Sequence, residues 1–265
     1  MTAFYRPANG LFHSTPLTTG PWDLRAQHGG PPLTAPFGAR RRAHRGGAFG
    51  FPTSRASRQE LPRACPGRAA RGPVRGREAG CRSAARLALA LTHDARVVAR
   101  ATALCLRVRA AELEVPAEPS PETSPEASAR FDFPFFRTEV GYHTAFDLRL
   151  ARGTFGATPT FMWMRARVPL VEGEPLTGPQ RVALSADSGN GVSPVLDWTR
   201  HDFINPDLTV ALHRTARGEW IGLDARTIIE PALGVGMAQT RIWDLDGPVG
   251  CGIQSLLCNP RVIEP

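Results

Sequence analysis

Between Ser185 and Gln254 the chain gathers side chains able to handle a proton. The stretches SADSGNGVS, FINPDLTVALHR, GEWIGLDARTII and GPVGCGIQSLL present Asp187, Asn205, Thr227 and Gln254 in that order. A carboxylate can take a proton from water, but it is a weak base and needs amide or hydroxyl neighbours to hold that water in line. This region supplies both kinds of group. Taken singly, each residue also has a structural use. Asp187, just ahead of Gly189-Asn190-Gly191, can end a helix or start a turn; Asn205 before Pro206 is a turn residue; Gln254 can satisfy backbone at a strand edge.

Other chemistries fit the residues less well. Asp187-Ser188-Gly189 looks like the nucleophile sequence of a serine protease, yet Ala186 stands where a Gly would precede it and no other triad motif is present. His201-Asp202 is a lone pair without further ligand spacing. The five cysteines, Cys65, Cys81, Cys105, Cys251 and Cys258, are odd in number and form no CxxC pair, which suits thiols in a reducing compartment. GVGMAQ and GCGIQS lack the last glycine and the strand-turn-helix setting of a phosphate loop. No metal and no redox cofactor is expected.

In their order, the four stretches resemble the acyl-CoA thioesterase II-like branch of the hotdog-fold thioesterases. The opening, FYRPANGLFHSTPLTTGPWDLRAQHGGPP, resembles the start of the same family, where the chain passes from QHGGPP into a long helix; ARLALALTHDARVVARATALCLR resembles the later strands of its first half. The resemblance implies an α+β double hotdog, two antiparallel-sheet halves each wrapping a helix, acting on acyl-CoA or another acyl thioester. It makes Asp187 the general base and Gln254 a water-positioning residue. The family's Thr falls on Asn205, which departs from the pattern and orients water through an amide rather than a hydroxyl. Thr227 is a substitute hydroxyl near the substrate. The backbone amides of Gly29 and Gly30 would polarise the carbonyl, with His28 beside them. The departure at Asn205 leaves open an inactive, acyl-thioester-binding member.

The elements that must carry these residues are legible in part. Phe161, Trp163 and Arg165 alternate with Met162, Met164 and Ala166, and Leu208, Val210 and Leu212 alternate with Thr209, Ala211 and His213, so each run predicts a half-buried strand. Between them, 178–196 carries Val182, Leu184 and Ala186 and predicts the wrapped helix, with Gly189 and Gly191 weighing against regular helix after Asp187. One repeat links the halves: Asp94, Val97, Ala99, Ala101, Thr102 and Leu104 recur at the offsets of Asp246, Val249, Cys251, Ile253, Gln254 and Leu256, each set a hairpin turning at 93–96 or 244–248. VPAEPSPETSPEASA reads as an extended, solvated linker. The expected organisation is a first half over 1–114, a linker over 115–130 and a second half over 131–265.

Composition adds one anomaly. Arg40 to Arg82 holds twelve arginines against Glu60 and Glu78, so a chain of net charge +8 carries its basic character in one block. All 32 basic residues are Arg, the mark of GC-rich coding. From Thr34 to Ser83 no apolar period is present. One reading is an arginine-rich arm for nucleic acid, with Phe49 and Phe51 stacking on bases. The favoured reading is GC-rich DNA translated out of frame across the helix and strands of an incomplete first half, leaving 34–83 disordered and nucleic acid a lesser candidate partner. No run approaches the ~20 apolar residues of a membrane span, and MTAFYRPANG is no leader; a soluble, cytoplasmic protein is expected, with homo-oligomerisation open.

Overall fold

The computed structural model describes residues 2–34, 55–57, 70–71, 79–81, 84–94, 96–108 and 111–261. Its frame is built by long alternating strands at the C-terminal end. β13 (Trp220–Glu230), β14 (Val235–Asp244) and β15 (Gly247–Pro260) follow one another as antiparallel hairpins. On β15, Gln254, Leu256 and Cys258 point inward while Cys251, Ile253 and Leu257 face out, the period-two pattern of a sheet with one packed face. β8 (Ala129–Phe131), β9 (Phe146–Arg152) and β10 (Thr160–Ala166) extend the sheet beyond β13; β11 (His201–Ile204) and β12 (Thr209–Leu212) pair with β15.

The first half contributes β1 (Tyr5–Ala8), β2 (Leu11–Ser14), the short β3 (Arg55–Ser57), β4 (Ala70–Arg71) and β5 (Ala79–Cys81), and the hairpin of β6 (Ala84–His93) and β7 (Arg96–Leu106). Among the described residues fifteen strands form one sheet, ordered β1-β2-β4-β6-β7-β3-β12-β15-β14-β13-β10-β9-β8, with β5 on β6 and β11 on β15. β3 bridges the halves, antiparallel to β7 on one side and β12 on the other. The two hairpins correspond, but one residue out of step with the repeat read from the sequence: His93 pairs with Arg96 as Asp244 pairs with Gly247, so Val98, not the exposed Val97, is the counterpart of Val249. β6–β7 slips register beside Leu91 and passes over Val98; β14–β15 slips beside Ile242 and passes over Val249, and both skipped valines are buried.

The helix of the second half is α2 (Gly178–Ala186). Thr177 caps it, accepting from Gln180 N–H, while Gln180 Oε1 accepts from Thr177 N–H at 2.8 Å. Pro179 fits the first turn, where its missing N–H costs nothing. Val182, Leu184 and Ala186 enter a core shared with Phe4, Tyr5, Tyr142, Met162, Leu223 and Ile242. The helix stops at Asp187 and the chain re-enters a single turn, α3 (Gly189–Val192), as the two glycines led one to expect. In the first half residues 30–34 are helical and are labelled α1. This is an α+β double hotdog whose first half is described only in part.

Three expectations are corrected. β10 is buried on both faces through Met164, not half-buried. Met162 and Met164 face the helix, while Phe161 and Trp163 pack with Trp220 and Trp243 on the other side. The linker explains the second layer: it is largely exposed, but Trp163 Nε1 donates to Thr123 O at 2.9 Å and Arg241 reaches Glu118 at 3.0 Å, strapping it over that face. β8 also begins within the expected linker and belongs to the second half's sheet. Within 34–83, Thr34 closes a helical turn onto Gly30 O and β3, β4 and β5 pair into the sheet, so these residues are not irregular; the rest of the arginine block lies outside the described residues.

Candidate active site

Asp187 sits where α2 breaks, only 3% exposed. Its carboxylate is clamped from both sides: Asn205 Nδ2 donates to Oδ1 at 2.8 Å, and His28 Nδ1 lies 2.9 Å from Oδ2. The clamp therefore joins the α2–α3 break, the turn after β11 and the loop ahead of α1. Burial is the largest single influence on this carboxyl and raises its pKa. The charge and hydrogen bond of His28, with Asn205 and the Gly30 amide, outweigh it and hold the group below the ordinary carboxylate range. Asp187 is an anion at neutral pH.

His28 is fixed on every side but one. Its backbone N–H donates to Thr18 O at 2.7 Å, and its ring lies flat on Tyr142, with centroids 3.7 Å apart and planes 3° from parallel. Tyr142 is itself pinned, donating to Leu184 O at 2.6 Å and lying 3.0 Å from Ser188 Oγ. Burial raises its phenol far above the usual range, so it stays neutral. The Gly30 amide is 3.2 Å from Nδ1 and also serves the Asp187 carboxylate. One nitrogen cannot accept from that amide and donate to the carboxylate together. A bare lone pair facing Oδ2 at 2.9 Å would be repelled, so the proton belongs on Nδ1 and the Gly30 amide with the carboxylate.

The two glycines make this packing feasible. A Cβ on Gly29 would stand 2.7 Å from Asp187 Oδ2, and one on Gly30 would stand 2.6 Å from Leu184 O. Glycine here lets α1 and α2 approach to backbone contact. Pro31 and Pro32 follow and carry no N–H, so α1 offers few free donors at its start. With the Gly30 amide engaged, Gly29 is the expected carbonyl donor that still lines the pocket.

That pocket, of about 550 Å³, is walled by Trp22, Phe133, Phe135 and Phe136, with His28, Asp187 and Asn205 among its polar residues and Asp23 and Arg25 also on its lining. Gln254 and Thr227 are not on its wall. Gln254 Nε2 donates to Asp187 O at 3.0 Å and its Oε1 accepts from Asn190 N–H at 3.0 Å, so the side chain splints the α2–α3 break from beneath. Thr227 Oγ1 meets Ser193 Oγ at 2.8 Å, and Ser193 in turn donates to Gly189 O, tying α3 to β13. The structure thus brings His28, Gly29, Asp187 and Asn205 to one cavity and sets Gln254 and Thr227 behind it. Sequence reasoning missed the aromatic wall and Tyr142. The signal was present for the wall: FDFPFF, at 131–136, is an aromatic run too dense for a plain strand.

Among the described residues no group of three or more His, Cys, Asp and Glu side chains is arranged to hold a metal, and no helix is long and apolar enough to cross a membrane. A double hotdog with a buried, clamped carboxylate facing an apolar pocket defines a thioesterase-like class. Residues 114–258 match the family of the acyl-CoA thioesterase C-terminal domain, and the chain belongs to it. Among solved structures, an acyl-CoA thioesterase II, TesB2, from Mycobacterium marinum matches with a TM-score of 0.63 at 13% identity, covering 98% of this chain and 96% of that one. A hot dog fold protein of unknown function from Alicyclobacillus acidocaldarius matches at 0.68 with 15% identity over 98% and 96% of the two chains. The tesB protein of Mycobacterium avium subs paratuberculosis gives 0.61 at 17% identity over 94% and 93%. Identities this low speak for the fold alone. No curated protein gives a significant sequence match.

Proposed function

We propose that this chain hydrolyses acyl-CoA or a related acyl thioester by attack of water on the thioester carbonyl, with Asp187 as the charge that drives proton removal. The observation that carries this reading is the ionised, 3%-exposed Asp187 at an apolar pocket, with Asn205 2.8 Å from one of its oxygens. A buried anion beside a dry wall acts strongly on a developing positive charge, because little solvent screens it. The aromatic wall takes the acyl group, and the Gly29 amide faces the thioester oxygen as negative charge develops there. Asn205 fixes the rotation of the carboxylate. Gln254 holds the backbone that carries it and acts by positioning. The 1–114, 115–130 and 131–265 organisation belongs to the same reading, since each half contributes to one site.

Free-thiol release from acyl-CoAs of graded chain length tests the proposal. Asp187→Asn should lower turnover by roughly two to four orders of magnitude while leaving the circular dichroism spectrum unchanged. Asn205→Thr should keep or raise turnover, because a hydroxyl can donate to Oδ1 as the amide does. Full activity in folded Asp187→Asn protein would overturn the assignment. A second reading, acyl-thioester binding without hydrolysis, is favoured by one observation: both Asp187 oxygens are already engaged. Saturable acyl-CoA binding with no thiol release would establish it instead.

A further inference from the structure

Both Asp187 oxygens have protein partners, and the carboxyl is held below its ordinary range. A group so placed supplies charge well and accepts a proton poorly. The proton of the attacking water therefore needs another acceptor within the pocket. His28 Nδ1 is fixed against Asp187 Oδ2 at 2.9 Å, and Nε2, on the other side of the ring, has no hydrogen-bond partner among the described residues. The side chain is 14% exposed, and His28 lines the pocket. Stacking on Tyr142 prevents the ring from turning.

We infer that His28 is a catalytic residue: Nε2 is the general base and then the general acid of thioester hydrolysis, with Asp187 as its orienting partner. The inference rests on the hydrolytic reading above. Water bonds to the carbonyl carbon as its proton passes to Nε2, and the carbonyl π pair moves onto oxygen. Collapse of the tetrahedral intermediate restores the carbonyl and breaks the C–S bond. Nε2 returns the proton to the departing sulfur, giving a thiol, a carboxylic acid and neutral imidazole. Nδ1–H donates to Asp187 Oδ2 throughout, so the carboxylate faces an imidazolium as it forms and lowers that step. The arrangement has the logic of an Asp-His pair that activates a nucleophile, here with water in place of a side chain. Asn205 keeps Oδ1 occupied so that Oδ2 stays with His28.

The groups facing His28 are Asp187 from the α2–α3 break and the neutral Tyr142 phenol of the 3-10 turn Tyr142–Ala145, while Asp23 and Arg25, paired at 3.0 Å, also line the pocket. None competes for Nε2. The alternative role is a buttress, in which His28 merely holds the carboxylate. His28→Asn separates the two, because its amide replaces the Nδ1 donor to Asp187 and has nothing in place of Nε2.

With purified full chain and acyl-CoA, His28→Asn should retain the fold and lose roughly two to four orders of magnitude in kcat. Added imidazole should restore part of the activity of His28→Ala and none of that of Asp187→Asn. Independently of any variant, diethyl pyrocarbonate should inactivate the wild-type chain at a rate slowed by acyl-CoA, since His28 is the histidine that lines the pocket. Near-wild-type turnover in His28→Asn, or wild-type activity indifferent to the reagent, would overturn the inference and leave hydrolysis standing. A wild-type chain that hydrolyses no acyl-CoA would overturn both.

Discussion

A carboxylate that must be both ionised and dry needs its neighbours chosen atom by atom, and Gly29 is one of those neighbours. Its missing side chain is the space that the Asp187 carboxylate occupies. Gly29→Ala would place a methyl 2.7 Å from Oδ2 and 3.0 Å from Oδ1, so the carboxylate must leave His28, Asn205 or both. Displacements of this size can cost about 10²-fold in rate. We expect that loss in kcat with little change in thermal stability. Gly30→Ala should behave differently, since its Cβ meets the Leu184 carbonyl of α2 at 2.6 Å and a backbone atom cannot swing aside; overpacking of this kind costs about 1–3 kcal/mol. Comparing melting temperature with kcat separates the two glycines. Their importance was legible as a motif, QHGGPP, although their separate partners were not. His28 and Asp187 lie far apart in sequence, and no local spacing announces a contact made only when two helices cross.

The decisive element is the broken helix, and its break is stabilised from below. Gln254 joins the Asp187 carbonyl to the Asn190 amide, and Gly189 lets it approach, since a Cβ there would stand 2.7 Å from Gln254 Oε1. Gln254→Ala leaves two buried backbone groups unpaired, at about 1–3 kcal/mol for such a loss. Its melting temperature should fall, and its turnover should fall by less than that of Asp187→Asn. The glycines of SADSGNG made the break readable, but Gln254 read from sequence alone was a water ligand, because a strand's register against a helix kink has no sequence signature. A second tie holds the β14–β15 turn: Arg214 grips Asp244 with two bonds of 2.6 Å, and the Arg217 and Asp246 amides add two more. Burial is the largest influence on the Asp244 carboxyl and raises its pKa, yet these donors outweigh it and hold it below the ordinary range. Asp187 shifts the same way. Their contribution to stability is thus complete above the ordinary carboxylate pKa of about 4, and it is lost as pH falls through the depressed folded values. Urea midpoints should decline as pH drops below about 4, and Asp244→Asn should flatten that decline while lowering stability at neutral pH.

At the scale of the molecule, the halves meet along one sheet, but the site does not divide between them evenly. Residues 2–34 tie the first half to the second: β2 pairs with β4 of the first half, while Tyr5 N donates to Leu170 O, Glu172 N donates to Tyr5 O, and Phe4 and Tyr5 lie in the core around α2. His28 and Gly29 therefore reach Asp187 through a segment that is also anchored on the second half, beyond its pairing with Ala70–Arg71 of the arginine block. The duplicated hairpin was readable as a pattern, but its register was read one residue off, because the bulges that set aside Val98 and Val249 leave no signature in the spacing. The aromatic layer between β10 and the linker was not, because alternation describes a strand and says nothing of what covers its outer face. None of the described pocket residues belongs to the arginine block. Its twelve arginines against two acids will attract polyanions through counterion release alone. RNA binding should then be indifferent to sequence and fall steeply with salt, with each neutralised phosphate on a single strand contributing a slope of about −0.7 in log K against log salt. Saturating acyl-CoA should still be hydrolysed at an unchanged kcat when the RNA is present, since among the described residues none that lines the pocket belongs to the block. Filter binding across a salt series, with thiol release measured in parallel, checks both. A sequence-selective complex that survives physiological salt, or RNA that suppresses kcat, would make the block a functional arm after all.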